Sequence, residues 1–198
     1  GFDGNIATVD MDFKGKTTVS AGHEVKEQSK GTVTIESTRY PFCFRETFKA
    51  DDPAAPESML PYIPFQQDLN RFTLKIKNLP SEKADVAWGK NTKEFSKADL
   101  EKGVNLADAF RVNPFSAQFD KLMASIAQKQ SFEGNMIVSV FNSFRNMSNL
   151  FKGDKNEAEI KNHIEAMKPL LFEKQASLDD AVKNNIITVT HTIKVTPK

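Results

Sequence analysis

The sequence predicts an α+β protein: an antiparallel β-sandwich-like domain with a long antiparallel helical hairpin inserted before its last strand. Three observations carry this. Apolar residues alternate with polar ones over 5–13, 71–79 and 186–195, the two-residue period of half-buried strands. Between 114 and 176 the spacing changes to three and four, the period of helices. A strand that follows such a helical excursion must rejoin the earlier sheet to pair its backbone. The expected organisation is a β-rich part over 1–112, the hairpin over 113–184 and a final strand over 185–198.

In the first strand Ala7, Val9, Met11 and Phe13 share one face, and Lys14-Gly15-Lys16 turns the chain into a short strand at 17–19. His23 falls in a loop, a β-branched strand covers 32–36 after Gly31, and 39–44 supplies another strand held to an edge or bulge by Pro41. Prolines 53, 56, 61 and 64 prevent regular pairing over 51–64, predicting a long surface connection. Strands return over 71–79, 84–88 and 92–95, the last two joined by the turn Gly89-Lys-Asn91. Ser96-Lys-Ala-Asp99 is a capping box for a short helix that Gly103 stops.

Asn113-Pro114 opens the long helical region. Phe115, Phe119, Leu122 and Ile126 step along one face, as do Phe132, Met136, Val140, Phe144, Met147 and Phe151. A continuous helix over 114–152 would be roughly 55 to 60 Å long, with Gly134 as the expected break. Asp154 and Glu157 cap a second helix with Ile160, Ile164, Met167 and Leu171 on one face, and Pro169 is expected to kink or end it. Ser177 and Asp180 are expected to cap one more short helix. In the last strand Ile187, Val189, His191, Ile193 and Val195 face one way and threonines with Lys194 the other.

Composition narrows the function. With 27 basic and 26 acidic residues the net charge is +1, so no field steers the chain to nucleic acid or an anionic membrane. No run of about 18 apolar residues predicts a transmembrane helix. Phenylalanine dominates the aromatics, 16 against 2 Tyr and 1 Trp, which suits a dry core better than a carbohydrate platform. Trp88, Tyr40 and Tyr62 are the rings that could serve as ligand platforms. The single cysteine, Cys43, lies among aromatics in Arg39-Tyr-Pro-Phe-Cys-Phe44 and reads as a buried structural thiol.

No catalytic motif emerges. The Gly-x-Ser-x-Gly elbow, Gly-Asp-Ser and Asp-x-x-His are absent. His23 reads as a turn histidine, His163 as solvent-facing and His191 as a core histidine bonded to backbone. No Cys-x-x-Cys, His-x-His or His-Glu-x-x-His pattern provides a metal site, and Asp10 with Asp12 is too little for calcium. No phosphate-binding glycine loop is present, so no cofactor is expected. Asp51-Asp52 and Asp179-Asp180 read as solvated acids. Asn146-Met-Ser148 fits a glycosylation sequon inside a helix.

One run of segments resembles a known family. Asp68-Leu-Asn-Arg-Phe-Thr-Leu-Lys-Ile-Lys-Asn-Leu-Pro80 is followed by Lys93-Glu-Phe-Ser, Leu100-Glu-Lys-Gly-Val-Asn-Leu-Ala107, Asn113-Pro-Phe115 and Thr190-His-Thr-Ile-Lys194, with Thr38-Arg-Tyr-Pro-Phe-Cys-Phe44 before them. This order resembles the C-terminal region of bacterial (planctomycete-like) SGNH/GDSL-type hydrolases. The resemblance implies a non-catalytic accessory domain of a secreted or periplasmic serine ester hydrolase, an esterase or acylhydrolase. It would pack on or gate a catalytic domain upstream in cis, and Gly1-Phe-Asp-Gly4 resembles the junction. The catalytic Ser, Asp and His would then lie outside this chain, and no family catalytic residue maps onto it. The alternatives are a polysaccharide-binding or a protein-interaction module.

Overall fold

The computed structural model describes residues 2–44, 53 and 55–198. It is an α+β protein with two sheets, and a long helical segment precedes the last strand. The chain divides into two compact units, Gly1–Asp120 with Ile187–Lys198, and Lys121–Ile186. The first eight residues of the expected hairpin therefore belong to the β-rich unit.

In that unit the strands are β1 (Asn5–Asp12), β2 (Thr18–Val19), β3 (His23–Ser29), β4 (Thr32–Ser37), β5 (Arg71–Lys77), β6 (Lys83–Trp88), β7 (Asn91–Ser96), β8 (Val104–Asn105) and β9 (Val189–Pro197). One sheet has the order β2-β1-β5-β8 and the other β3-β4-β9-β6-β7. The terminal strand β9 rejoins the sheet at its centre, antiparallel to both β4 and β6. One pairing departs from an antiparallel sandwich: β1 runs parallel to β5, with Val9 opposite Leu74 and Met11 opposite Ile76. The long connection between them is what a parallel pair requires.

Alternation sets the core. Ala7, Val9 and Met11 of β1 and Phe72, Leu74 and Ile76 of β5 are buried on one sheet. Val33 and Ile35 of β4, Val86 and Trp88 of β6 and Ile193 and Val195 of β9 are buried on the other. The sheets meet face to face where the Phe72 ring lies 4.9 Å from Trp88 and 5.6 Å from His191. Gly4 precedes β1 at φ +83, where a Cβ would fall 1.6 Å from the Asp68 carbonyl oxygen, so the chain passes there only because no side chain is present.

Several local expectations change. His23 is not in a loop but starts β3, an exposed strand too polar to show alternation. Residues 39–44 form no ladder. The Pro-rich stretch contains a 3₁₀ segment, Pro56–Tyr62, followed by a single turn, α1 (Phe65–Asp68). Helix α2 (Lys97–Lys102) has the expected cap: Ser96 Oγ accepts from the Asp99 amide at 3.1 Å. A short turn, α3 (Leu106–Ala109), follows β8.

Helix α4 (Ser116–Asn135) runs through Gly134 without a break, continues as a π segment (Met136–Phe141) and then as α5 (Asn142–Leu150). The irregularity is therefore an extra-residue turn just after the glycine. Helix α6 (Glu157–Asn184) passes through Pro169 and includes Ser177 and Asp180, so no separate short helix forms. Asp154 and Glu157 act at its start, accepting from the Asn156 and Gly153 amides. Within the 121–186 unit the helices run antiparallel: Lys129 pairs with Asp179, Glu133 accepts from Gln175, and the Phe141 ring meets Phe172 at 6.3 Å. No helix among the described residues is long and apolar enough to cross a membrane.

Candidate functional site

Serine and histidine meet inside the β-rich unit, on the inner faces of four neighbouring strands. His23 of β3 stands opposite Ser37 of β4 in the strand register. Their side chains bond at 2.8 Å between Nδ1 and Oγ. The same Oγ lies 2.9 Å from His191 Nε2 on β9. His191 Nδ1 lies 3.1 Å from Trp88 Nε1 on β6. At the far end His23 Nε2 lies 2.9 Å from the Ile6 carbonyl of β1.

The two ends fix every proton between them. An indole N–H only donates, and a carbonyl oxygen only accepts. Trp88 therefore donates to His191 Nδ1, leaving the proton of a neutral His191 on Nε2, which donates to Ser37 Oγ. Ser37 donates to His23 Nδ1, and His23 Nε2–H donates to Ile6. Both imidazoles are neutral in this arrangement. Burial agrees: it lowers the pKa of His191 to about 3, with the nearby His23 adding to the effect. Burial also lowers the pKa of His23, followed by the Arg39 charge, against the opposing bond to the Ile6 carbonyl.

This chain of bonds is built for structure. Ser37 is fully buried, so no substrate carbonyl reaches its Oγ. Its proton is directed at His23, yet no carboxylate takes part to stabilise an imidazolium. His191 is the expected core histidine, but its partners are Trp88 and Ser37 side chains rather than backbone. The signal for Ser37 was present in the sequence: it ends the inward row Val33, Ile35, Ser37.

The three rings named as ligand platforms separate. Trp88 is 0% exposed and packs against Phe72, Phe110 and Phe115, so it cannot stack on a ligand; that expectation is corrected. The sheet-to-sheet core takes the largest ring available. Tyr40 is half-buried, its hydroxyl donating to the Ile187 carbonyl and its ring 5.4 Å from Phe115. Tyr62, at 80% exposure, remains an open ring.

The other candidates have local explanations. Cys43 is buried with its thiol 3.6 Å from Asn113 Oδ1, and burial pushes its pKa up to about 11, which keeps it protonated and unreactive. Asp12 accepts from the Lys14 amide and from Asn78 Nδ2. Asp179 pairs with Lys129 and Asp180 with Lys183, while Asp51 and Asp52 lie outside the described residues. His163 is exposed, 3.7 Å from Glu159. No group of three or more His, Cys, Asp or Glu among the described residues is placed to hold a metal ion.

Two surfaces remain. In the β-rich unit Arg111 Nε donates to Glu57 Oε1 beside a cleft of about 450 Å³ walled by Phe44, Leu60 and Pro61. In the 121–186 unit, large apolar side chains face solvent: Ile137, Val138, Leu150, Met167, Leu170 and Phe172 are all about half exposed or more. They lie on the π segment, α5 and α6.

No family model and no curated protein matches the chain. Among solved structures it is similar to BT4096, a gut microbial diltiazem-metabolizing enzyme, at a TM-score of 0.65 and 15% identity. The match covers 100% of this chain and 51% of that one, so this chain spans about half the length of that enzyme. At this identity the likeness is one of fold, and it extends over both units of the chain.

Proposed function

We propose that this chain is a non-catalytic accessory domain of an SGNH-type ester hydrolase, placed beside a catalytic domain in cis and shaping or gating its substrate path. The observation that carries the reading is the family resemblance in sequence; the fold likeness of the whole chain to half of a larger enzyme is compatible with a domain of a longer protein. That resemblance lies in the 38–44, 68–80, 93–96, 100–107, 113–115 and 190–194 segments. In this reading the acyl-enzyme chemistry and its oxyanion hole belong to the catalytic domain. The chain contributes a rigid sandwich and, in the helical unit, apolar side chains for the partner domain or for an acylated substrate. The same resemblance assigns a secreted or periplasmic location. Protein interaction, the alternative reading, is favoured by the exposed residues of that unit. Polysaccharide binding loses its main ring with the burial of Trp88.

The test is ester hydrolysis by the full-length gene product with and without residues 121–186, the ends joined by a short flexible linker. Removing the unit is expected to change KM for long-chain nitrophenyl esters at least threefold while kcat for the acetate ester stays within twofold. Identical kinetics on every ester would end the gating role.

A further inference from the structure

The helices of the 121–186 unit border an open cleft of about 560 Å³, within the range of roughly 300 to 1,000 Å³ for small-molecule sites. The π segment ends at the cleft's first lining residue, Phe141. The face that α4 turns to α6 follows Lys129, Glu133 and Met136, steps of four and three. The next residues on the facing side are Phe141, Phe144 and Ser148, so the step from Met136 is five, the advance of a π turn. That turn presents Phe141 beside Phe144, ring centroids 6.2 Å apart, against Ile164 and Phe172 of α6. On this side Phe141 and Phe144 form the apolar wall, and the lining runs from Phe141 to Ser148, seven helical steps or about 10 Å.

The rim carries Arg145, Lys168 and Glu165, a net positive charge. Glu165 is already paired with Lys168 at 2.5 Å. Arg145 lines the same rim and gives one guanidinium N–H to the neutral Asn142 amide at 2.8 Å. It has no acid within salt-bridge distance among the described residues. With Glu165 engaged by Lys168, Arg145 is the rim cation without an ion pair, at the edge of an apolar trough.

We propose that this cleft binds a medium-chain carboxylate, the alkyl chain lying between Phe141, Phe144, Ile164 and Phe172 and the carboxylate on Arg145. Burying each methylene contributes about 0.8 kcal/mol, and the guanidinium offers a bidentate fork that suits a carboxylate. A neutral amphiphile would keep the first term and lose the second; a cationic one would meet repulsion. The site stands on the geometry of this chain and does not need the ester-hydrolase reading. If that reading holds, the ligand has the chemistry of an acid released by ester hydrolysis.

The experiment is calorimetric titration of the intact chain with decanoate, decanol and decyltrimethylammonium below their aggregation limits. One decanoate is expected per chain, with decanol at least fivefold weaker and the ammonium weaker still. Arg145→Gln, an exposed position, should weaken decanoate at least fivefold and leave decanol unchanged. Phe172→Ser, at a half-exposed wall, should weaken both. Absence of saturable binding, equal affinity for the ammonium, or an Arg145→Gln variant that binds decanoate normally would overturn the proposal. Decanoate binding in a chain whose full-length product hydrolyses no ester would keep the cleft and remove the ester-hydrolase reading. Ester hydrolysis without decanoate binding would do the reverse.

Discussion

Trp88→Ala is expected to destabilise the β-rich unit by about 3 to 5 kcal/mol, the range for deleting a buried aromatic side chain. The upper end applies because two losses coincide. The indole is fully buried between the sheets, packed on Phe72, Phe110 and Phe115, so its removal leaves a cavity that rigid strands cannot close. It is also the donor that satisfies His191 Nδ1. Trp88→Phe separates the terms: most of the volume stays, and only the N–H goes. An unsatisfied buried acceptor costs about 1 to 3 kcal/mol, so the Phe variant should fall between wild type and the Ala variant in urea unfolding. A Trp88→Phe variant as stable as wild type would contradict the directional chain of bonds from Trp88 to Ile6.

Acid is expected to unfold this unit through the same residues. His191 has its pKa lowered to about 3 in the folded state, against the usual 6.5. A depressed folded pKa means that the unfolded chain takes up the proton first. The contribution is fully present above pH 6.5 and is lost as pH falls towards 3. At about 1.36 kcal/mol per pH unit, His191 alone removes about 2.5 kcal/mol by pH 4.5. His23 shifts in the same direction and adds to the loss. Its half-exposed ring makes that part smaller. His191→Gln can accept from Trp88 and donate to Ser37 without a titrating group. The pH dependence of unfolding, wild type minus this variant, isolates the histidine. A flat difference between pH 6.5 and 4 would show that the imidazole is not held neutral.

Much of this architecture was legible from period alone. Strands β1, β5 and β9 alternate cleanly because one face of each meets the core, and the long apolar steps announce helices. That β9 rejoins the sheet followed from the need of a last strand to pair; its central place between β4 and β6 did not. Strand β3 was not legible because His-Glu-Val-Lys-Glu-Gln-Ser has no buried row: backbone pairing with β4 holds it, and sequence period reports only side-chain burial. The π segment was missed for a related reason. Steps of three and four continue through Met136, Val140 and Phe144, so an α register fits the apolar residues, yet Phe141 lines the helix-facing cleft. Of the two outcomes expected at Pro169, a kink or an end, the end does not occur: α6 continues past it.

The candidate sites show a sharper limit. A lone tryptophan in a Phe-rich chain could be a surface platform or the largest core ring, and only its register in β6 decides, placing it inward with Ala84 and Val86. Ser37 and His191 each lie in inward phase, which was readable. Their meeting depends on β4 pairing with β9 across a separation of more than 150 residues, which no local pattern encodes.

The central claim is that this domain serves an ester hydrolase without performing its chemistry. A fluorophosphonate probe, which labels activated serines, tests it most directly. In the full-length gene product a single serine outside residues 1–198 should be labelled, and Ser37→Ala should not reduce the labelling of folded protein. Labelling of a serine within residues 1–198, or a full-length product that neither reacts with the probe nor hydrolyses any ester, would contradict it.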